Sequence, residues 1–582
     1  MTALACLAAQ GRAAPRHAGE DALQRVALNG DGVAGNWNTV DCALSADGLW
    51  IVVSSYSSNL ISRDGNEWAN AGADIFVIDL TDWGGGFAVE RASVRYGVHY
   101  DDGDANDCSY APTIADGGRY VAFQSYASDL VPGDTNGAPD IFIRDRDTDA
   151  DGNFTIDKMA TWRASVASDG READLGSFGP RIAIDGSAVW FSSSATNLVA
   201  GDTNGAIDLF RHDLVTRATT RVSLAWDGAE PDGDCTSARP TADGTQLLFL
   251  SSATNLVPGD TNGTYDLFVR DLVTGAVERV SVATGGAEGD GPSTAAGGIS
   301  ADGRFVLFGS YATNLVPGDT NGVPDCFLRD RQTGTTVRVS VASGGLEADG
   351  ASFPGTLTDD GTRVVFSSSA TNLDPRDGDA FTNVFVRDLA SDATEVVFLA
   401  RSGAPPDGDC HYASASPDLV KIGAICHATN LVSWDHNAAP DHAGEEPYVR
   451  DLGQPIGGAS WRPYGDALWG KRKPSLVPRA DPVLGTTVTF DLGNSAPYPT
   501  SGWLFGGGEA TALKLHRATF ANDLSLFLLP VTLGLGVTPY DADVTDDPAM
   551  TGISIFAQLA VLDSAAPVGL SLSRGIELVL GN

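Results

Sequence analysis

The chain has 582 residues, is 42% hydrophobic, and sets 75 Asp+Glu against 37 Lys+Arg, of which only five are Lys; the formal net charge is −38. The apolar content is that of a globular protein and excludes a disordered chain. The charge excludes nucleic acid and anionic lipid as partners, because neither phosphate backbone would find cations to replace its counterions. No apolar run is long enough to form a transmembrane segment.

The start, MTALACLAAQGRAAPRHA, is rich in small residues and apolar from Thr2 to Ala9, like the tail of a secretory leader, although no Lys or Arg precedes the apolar stretch. Residues 1–21 are therefore expected to be a leader remnant, which places the protein in a secreted, periplasmic or cell-surface location.

One stretch is then written seven times. Its cleanest copy is SADGRFVLFGSYATNLVPGDTNGVPDCFLRD, Ser300 to Asp330, and related copies centre on Asp47, Asp116, Asp185, Asp243, Asp360 and Asp418. With Asp302 included, the steps are 69, 69, 58, 59, 58 and 58 residues. A fixed period of this size means repeated copies of one supersecondary unit. In the fifth copy, Ser293 to Ser300 is a strand of small residues suited to a crowded axis. Ala301-Asp302-Gly303 is a turn, and Phe305 to Phe308 a short buried strand. Asp319-Thr320-Asn321-Gly322 reverses the chain, Cys326 to Leu328 forms a third strand and Val339-Ser340-Val341 a fourth. Four short strands in a meander cannot hide their own apolar faces, and copies set radially hide them for one another.

The fourth strand recurs as Arg221 to Leu224, Arg279 to Val282 and Arg338 to Val341, but none follows the third strand of the last copy, Tyr448 to Leu452. A stretch of the same wording, Arg25-Val26-Ala27-Leu28, stands before the first copy. It is expected to pair into the last blade and close the ring, leaving no open edge. The fold class is thus all-β: a seven-bladed β-propeller of four-stranded antiparallel blades over residues 22–453, its N-terminal strand closing the last blade.

The ADG turns and phenylalanine-rich third strands such as Asp266 to Asp271 resemble the TolB-like, WD-repeat-like β-propeller family of bacterial envelope and secreted proteins. The resemblance spans about three quarters of the chain. It implies the fold, and a family that includes protein-binding scaffolds, peptidase-associated propellers and a few lyases.

The second-to-third and fourth-to-first loops of such a meander share one face. On it fall Asp134, Asn136 and Asp140; Asp202, Asn204 and Asp208; Asp260, Asn262 and Asp266; and Asp319, Asn321 and Asp325, joined by Asp232, Asp234, Asp349, Asp407 and Asp409. Side-chain oxygens of this kind can hold Ca²⁺, while the same Asp and Asn-Gly residues are also those of tight turns. In the second copy, an 11-residue insert in the third-to-fourth hairpin carries Asp147, Asp149, Asp151, Asn153 and Asp157. That spacing matches the start of an EF-hand loop and implies Ca²⁺ as cofactor, though position 12 is Lys158 rather than Glu.

Cys108, Cys235 and Cys410 each precede their repeat's aspartate by eight residues, where Ser177 and Ser352 stand in other copies. Their blades are not neighbours, so they are expected to be free, buried thiols. Cys326 occupies a plain core position. The seventh copy carries half of the chain's eight histidines, His411, His427, His436 and His442, an alternative metal-binding group. Trp226 and Trp434 are aromatic residues near the same mouth that could stack on sugars.

Composition shifts after Asp451. Residues 454–475 read as a Gly-, Pro- and Trp-rich linker. Residues 476–582, with strands near Val488 to Leu492, Leu524 to Leu529, Ile553 to Val561 and Gly569 to Leu572, read as a small β-sandwich. The segment resembles the C-terminal module that follows propellers in secreted bacterial proteins. The combined expectation is an exported, non-catalytic, calcium-stabilised scaffold at the cell envelope, binding a protein or glycan ligand. The alternatives are a metal-dependent polysaccharide lyase or hydrolase using the seventh-copy histidines, and a structural surface-layer or adhesion component.

Overall fold

The structure is a computed structural model. It describes residues 23–26, 35–61, 72–80, 88–97, 103–152, 154, 158–400, 403–431 and 445–452 with their side chains, and strand backbones beyond residue 452. The chain divides into two compact units, one of residues 25–81 and 88–451, the other of residues 1–24, 82–87 and 452–582.

The first of these is a ring of seven four-stranded antiparallel sheets. In the fifth blade the strands are Ser293–Ile299, Phe305–Ser310, Asp325–Asp330 and Thr335–Arg338, hydrogen-bonded in that order. Phenylalanines on the second and third strands face each other directly: Phe123 and Phe142, Phe191 and Phe210, Phe249 and Phe268, Phe308 and Phe327, Phe366 and Phe385, with ring centroids 5.6–5.9 Å apart. All ten are fully buried. Neighbouring blades pack through such residues: Trp190 and Leu209 of the third lie in one apolar cluster with Leu247, Phe249 and Phe268 of the fourth. That contact is what makes the isolated meander unstable and the ring stable.

The ADG turn is built as its residues require. Asp302 Oδ1 accepts from Ser300 Oγ at 2.7 Å and from the Arg304 amide at 3.0 Å. Gly303 has φ +73°, and a Cβ there would meet the Gln246 side chain at 2.5 Å.

The fourth strands end earlier than the sequence pattern suggests, at Arg221, Arg279 and Arg338. The Val-Ser that follows leaves the strand because the serine turns inward: Ser340 Oγ accepts the Cys326 amide at 3.0 Å and donates to Asp325 at 2.5 Å.

Closure occurs as expected. The seventh sheet runs Cys410–Ala415, Lys421–Cys426, Glu446–Asp451 and, outermost, Leu23–Arg25. The Val26 amide donates to the Pro447 carbonyl at 3.0 Å, and Arg25 Nε lies 2.6 Å from Glu446 Oε2. Ala27 and Leu28 lie outside the described residues.

The cysteine expectation is corrected. Cys410 is joined to Cys426, its direct cross-strand partner, across a Cα separation of 4.1 Å. The bond forms within one blade, so the distance between blades that argued for free thiols never enters. Cys235 and Cys326 are free and buried, and Cys108 is free and half-buried. The register also places Ser109, not Cys108, at the position equivalent to Cys235 and Cys410, because Ser109 pairs with Ser125 as Cys235 pairs with Ser251.

The second unit contains two antiparallel sheets. One joins Ser460–Tyr464, Gly575–Val579, Ser554–Leu562, Thr500–Gly508 and Phe527–Leu533, with Leu570–Leu572 on Ser554–Leu562. The other joins Ser475–Pro478, Thr487–Asn494, Gly536–Asp543, Ala512–Leu515 and Ala518–Ala521. Among the described residues no helix is long and apolar enough to cross a membrane.

Deleting residues 22–28 removes the outer strand of the seventh blade and bares the Glu446–Asp451 edge. The expected result is a lower melting temperature together with concentration-dependent association in size-exclusion chromatography, since an unpaired strand templates pairing.

Candidate functional site

In the second to fifth blades the acidic loops are organised around one buried aspartate each. Asp208, at the head of a third strand, is fully buried. Its Oδ1 accepts from Ser223 Oγ at 2.5 Å, and its Oδ2 from Asn204 Nδ2 at 3.1 Å and Arg221 Nη1 at 3.1 Å. The same Arg221 Nη1 lies 2.6 Å from Glu230 Oε1 and 3.3 Å from Asp202 Oδ1. Glu230 in turn accepts the Thr203 amide at 2.9 Å and the Thr203 hydroxyl at 2.6 Å. The D-T-N-G loop is therefore held to the next inter-blade loop by an arginine that sits among three carboxylates.

The unit repeats as Asp134, Asp140, Arg163 and Glu172; as Asp260, Asp266, Arg279 and Glu288; and as Asp319, Asp325, Arg338 and Glu347. Two of these carboxylate trios, those of the second and fifth blades, are close enough to share an ion. In both, the guanidinium already stands where a cation would. The neighbouring aspartates are satisfied locally as well: Asp232 accepts from the Thr254 amide and hydroxyl, and Asp349 and Asp407 do the same with Thr371 and Thr429.

The arginine and glutamate of this unit escaped the sequence reading, yet their signal is there. Each Arg precedes its Glu by nine residues, at 163 and 172, 221 and 230, 279 and 288, and 338 and 347. The sixth blade shows the logic by its exception. Asn383 and Val396 stand where Asp208 and Arg221 stand in the fourth-strand pairing of the third blade, so charge is lost from both partners together.

Sharing one cation splits the carboxylates. Burial and the charge of Asp140 push Asp134 up to about 6, and Asp202, Asp260 and Asp319 rise to about 6 with burial as the leading cause. Glu172, Glu230 and Glu347 are held down to about 2 by the threonine and arginine hydrogen bonds, which outweigh what burial does to them.

In the insert of the second blade, Asp147, Asp149 and Asp151 bring ligand atoms within 4.8 Å of one another. Asp147 is buried and accepts the Asp151 amide at 3.1 Å and the Gly152 amide at 2.9 Å. Lys158, at the place of the missing Glu, pairs with Asp149. Asn153 and Asp157 lie outside the described residues.

A cavity of about 790 Å³ lies on the ring axis, lined by the first strands of all seven blades. Those strands are made of small and apolar residues, and the only Asp, Glu, Lys or Arg within them are Asp41, Arg181 and Arg239. All three line the cavity. Arg181 Nη1 donates to the Pro180 carbonyl at 3.3 Å and Arg239 Nη1 to the Ala238 carbonyl at 3.4 Å; among the described residues no carboxylate forms an ion pair with either. Both side chains are partly exposed to the cavity yet lie deep beneath the outer surface, so desolvation lowers both pKa values, and the charge of Arg181 lowers Arg239 further. Burial raises Asp41 to about 6 against the pull of both arginines. These charges break the small-residue pattern of the axial strands, and that break is their signal in the sequence.

In the seventh blade, His411 and His427 each follow a cysteine of the disulfide. Their Nε2 atoms lie 3.5 Å and 3.3 Å from Glu445 Oε1, and the rings are 5.9 Å apart. Burial lowers the His411 pKa. His436 and His442 lie outside the described residues, as does Trp434; Trp226 is exposed.

No protein-family model matches the chain, and no curated protein matches it. Among solved structures, a protein described as TolB from Agrobacterium tumefaciens aligns at 17% identity and a TM-score of 0.30, over 59% of this chain and 90% of that one. A structure from a study of two prolyl endopeptidases aligns at 10% identity and a TM-score of 0.40, over 79% of this chain. The chain spans 55% of that second protein. The propeller architecture rests on the seven sheets themselves.

Replacing Arg221 by Met leaves the buried Asp208 without its cation and is expected to lower the unfolding free energy by about 3 kcal/mol in a urea titration. Stability also depends on pH with a worked sign. Between about 4 and 6 the folded chain binds more protons than the unfolded one at Asp134, Asp202, Asp260 and Asp319, so stability falls as pH rises through that window. Between about 2 and 4.5 the unfolded chain binds more at Glu172, Glu230 and Glu347, so stability falls as pH drops. A melting temperature measured across pH 3–8 is expected to peak between these windows, near pH 4–5.

Proposed function

We propose that the protein is an exported, non-catalytic binding scaffold whose axial cavity receives a carboxylate from a protein or glycan partner. The observation that carries this reading is the pair Arg181 and Arg239, turned into a cavity also lined by Asp41 and Asp409 but ion-paired to neither, in a chain of net charge −38. Two guanidinia set deep in the ring without ion-pair partners are costly, and a bidentate carboxylate relieves that cost with charge-assisted hydrogen bonds. The outer surface selects for a single acidic terminus over a long polyanion, because repulsion would oppose every further negative charge. The acidic mouth does not serve this reading as a metal site, since its carboxylates are taken up by arginines. Calcium is proposed only for the 147–158 hairpin, where an ion would have to displace Lys158 from Asp149. Export is supported by the Cys410–Cys426 bond, which persists in an oxidising compartment.

The test is calorimetric titration of the full chain with three probes: neutral oligosaccharides ending in one uronic acid, peptides with a free C-terminal carboxylate, and the same peptides amidated. Saturable binding of one carboxylate probe is expected, weakened at least about tenfold by Arg181→Gln or Arg239→Gln, the worth of one charge-assisted bond. The peptide and oligosaccharide arms separate a protein from a glycan partner. No saturable binding in any arm, or binding that both variants keep, overturns the reading.

A further inference from the structure

We propose that His411, His427 and Glu445 form a binding site for one divalent first-row transition-metal ion at the edge of the axial cavity. The inference is independent of the arginine pair.

Three local features assemble the site. The disulfide fixes Cys410 opposite Cys426 on adjacent strands. Successive residues of a strand face opposite sides, so the residues that follow, His411 and His427, are delivered together to the side away from the disulfide. On the third strand Glu446 turns to Arg25, and the same alternation sends Glu445 the other way, towards the histidines. The backbone is pinned on both flanks: the His427 amide donates to the Asp409 carbonyl at 2.8 Å, and the Glu445 carbonyl accepts from the Thr39 amide at 2.8 Å.

The distances suit a metal better than an ion pair. A charge-assisted N–H···O contact closes to about 2.7–2.9 Å. Here both Nε2 atoms stand off from one carboxylate oxygen, at 3.5 Å and 3.3 Å. Ligand bonds of about 2.0–2.2 Å in tetrahedral geometry give ligand–ligand edges of about 3.3–3.6 Å. One ligand atom from each of the three residues lies within 4.8 Å of the other two. No arginine is paired with Glu445 among the described residues, in contrast to the carboxylate trios of the acidic mouth. Two imidazole nitrogens with one carboxylate select a transition ion over Ca²⁺, which prefers an all-oxygen shell. His411 also lines the axial cavity, so the remaining coordination positions open onto it.

The group belongs to this blade alone. At the equivalent places the second blade has Tyr110, Tyr126 and Pro139, and the fourth has Thr236, Ser252 and Tyr265. The three ligand residues and the disulfide beside them therefore occur together, in a repeat that otherwise keeps the common pattern.

The test uses metal-free full-length protein titrated with Co²⁺ and Zn²⁺ by calorimetry, with the visible absorption of bound Co²⁺ as a second readout and Ca²⁺ as a control ion. One equivalent of Co²⁺ or Zn²⁺ is expected to bind. His427→Tyr, which restores the residue found as Tyr56, Tyr126 and Tyr311 in other blades, and Glu445→Gln are each expected to weaken binding at least about 100-fold, the upper end of what losing an outer-shell partner costs. Asp149→Asn, in the remote hairpin, is expected to change nothing. Far-UV circular dichroism and melting establish that each variant is folded; if His427→Tyr is not, Glu445→Gln decides alone. Substoichiometric uptake by the parent protein, binding that survives Glu445→Gln, or loss with Asp149→Asn would each overturn the site.

Discussion

The ring depends on a buried aspartate at the head of a third strand. Asp140, Asp208, Asp266 and Asp325 are each almost wholly removed from solvent, and each is gripped by an Asn from its own loop, by the Arg that ends the fourth strand and by a Ser two residues beyond it. A buried carboxylate left alone would be costly, so its presence forces the loop, the strand end and the arginine into one geometry. The arginine then reaches on to the glutamate of the next inter-blade loop. Blade edges are in this way tied by directional bonds, while the stacked phenylalanines supply the non-directional burial.

This arrangement changes what the charge of the molecule means. An excess of acids suggests a cation-hungry mouth. In the folded chain many of those acids are fully used: by arginine, by threonine hydroxyls and by backbone amides. Arg181 and Arg239, by contrast, form no ion pair among the described residues and face an axial cavity that Asp41 and Asp409 also line, set apart from the acidic exterior by the blades themselves. The sign of a surface and the sign of a pocket are separate quantities, because solvent and salt screen the exposed charges over about a Debye length, about 10 Å at 0.1 M, before their field reaches the axis.

The last two blades depart from the pattern in different ways. The sixth replaces buried Asp and Arg together, by Asn383 and Val396, which preserves the local balance. The seventh borrows its outer strand from the N-terminus, so Arg25 takes the arginine's part opposite Glu446. It also carries a disulfide and two converging histidines, so the blade in which the two ends of the repeat array meet is chemically unlike the others.

Much of this was legible in the sequence. The period gave the blade count and the ADG and D-T-N-G turns gave the strand junctions, because each depends on residues near one another in the chain; the closure, which joins Val26 to Pro447, was legible only because the stray Arg25-Val26 segment repeats the wording of the fourth strand that the last copy lacks. What the chain alone did not yield depends on residues brought together from afar. The Arg-to-Glu interval of nine was visible as spacing, but only folding shows that it neutralises an aspartate from a different loop. Cys410 and Cys426 meet because two strands pair in one register, and Glu445 joins His411 and His427 for the same reason. Asp41, Arg181 and Arg239 come from three separate blades, and only the closing of the ring puts them in a common cavity. Local sequence therefore determined the element and its repeat, whereas the tertiary structure decided which charges cancel and which remain, since electrostatic balance is set by distance and burial rather than by order along the chain.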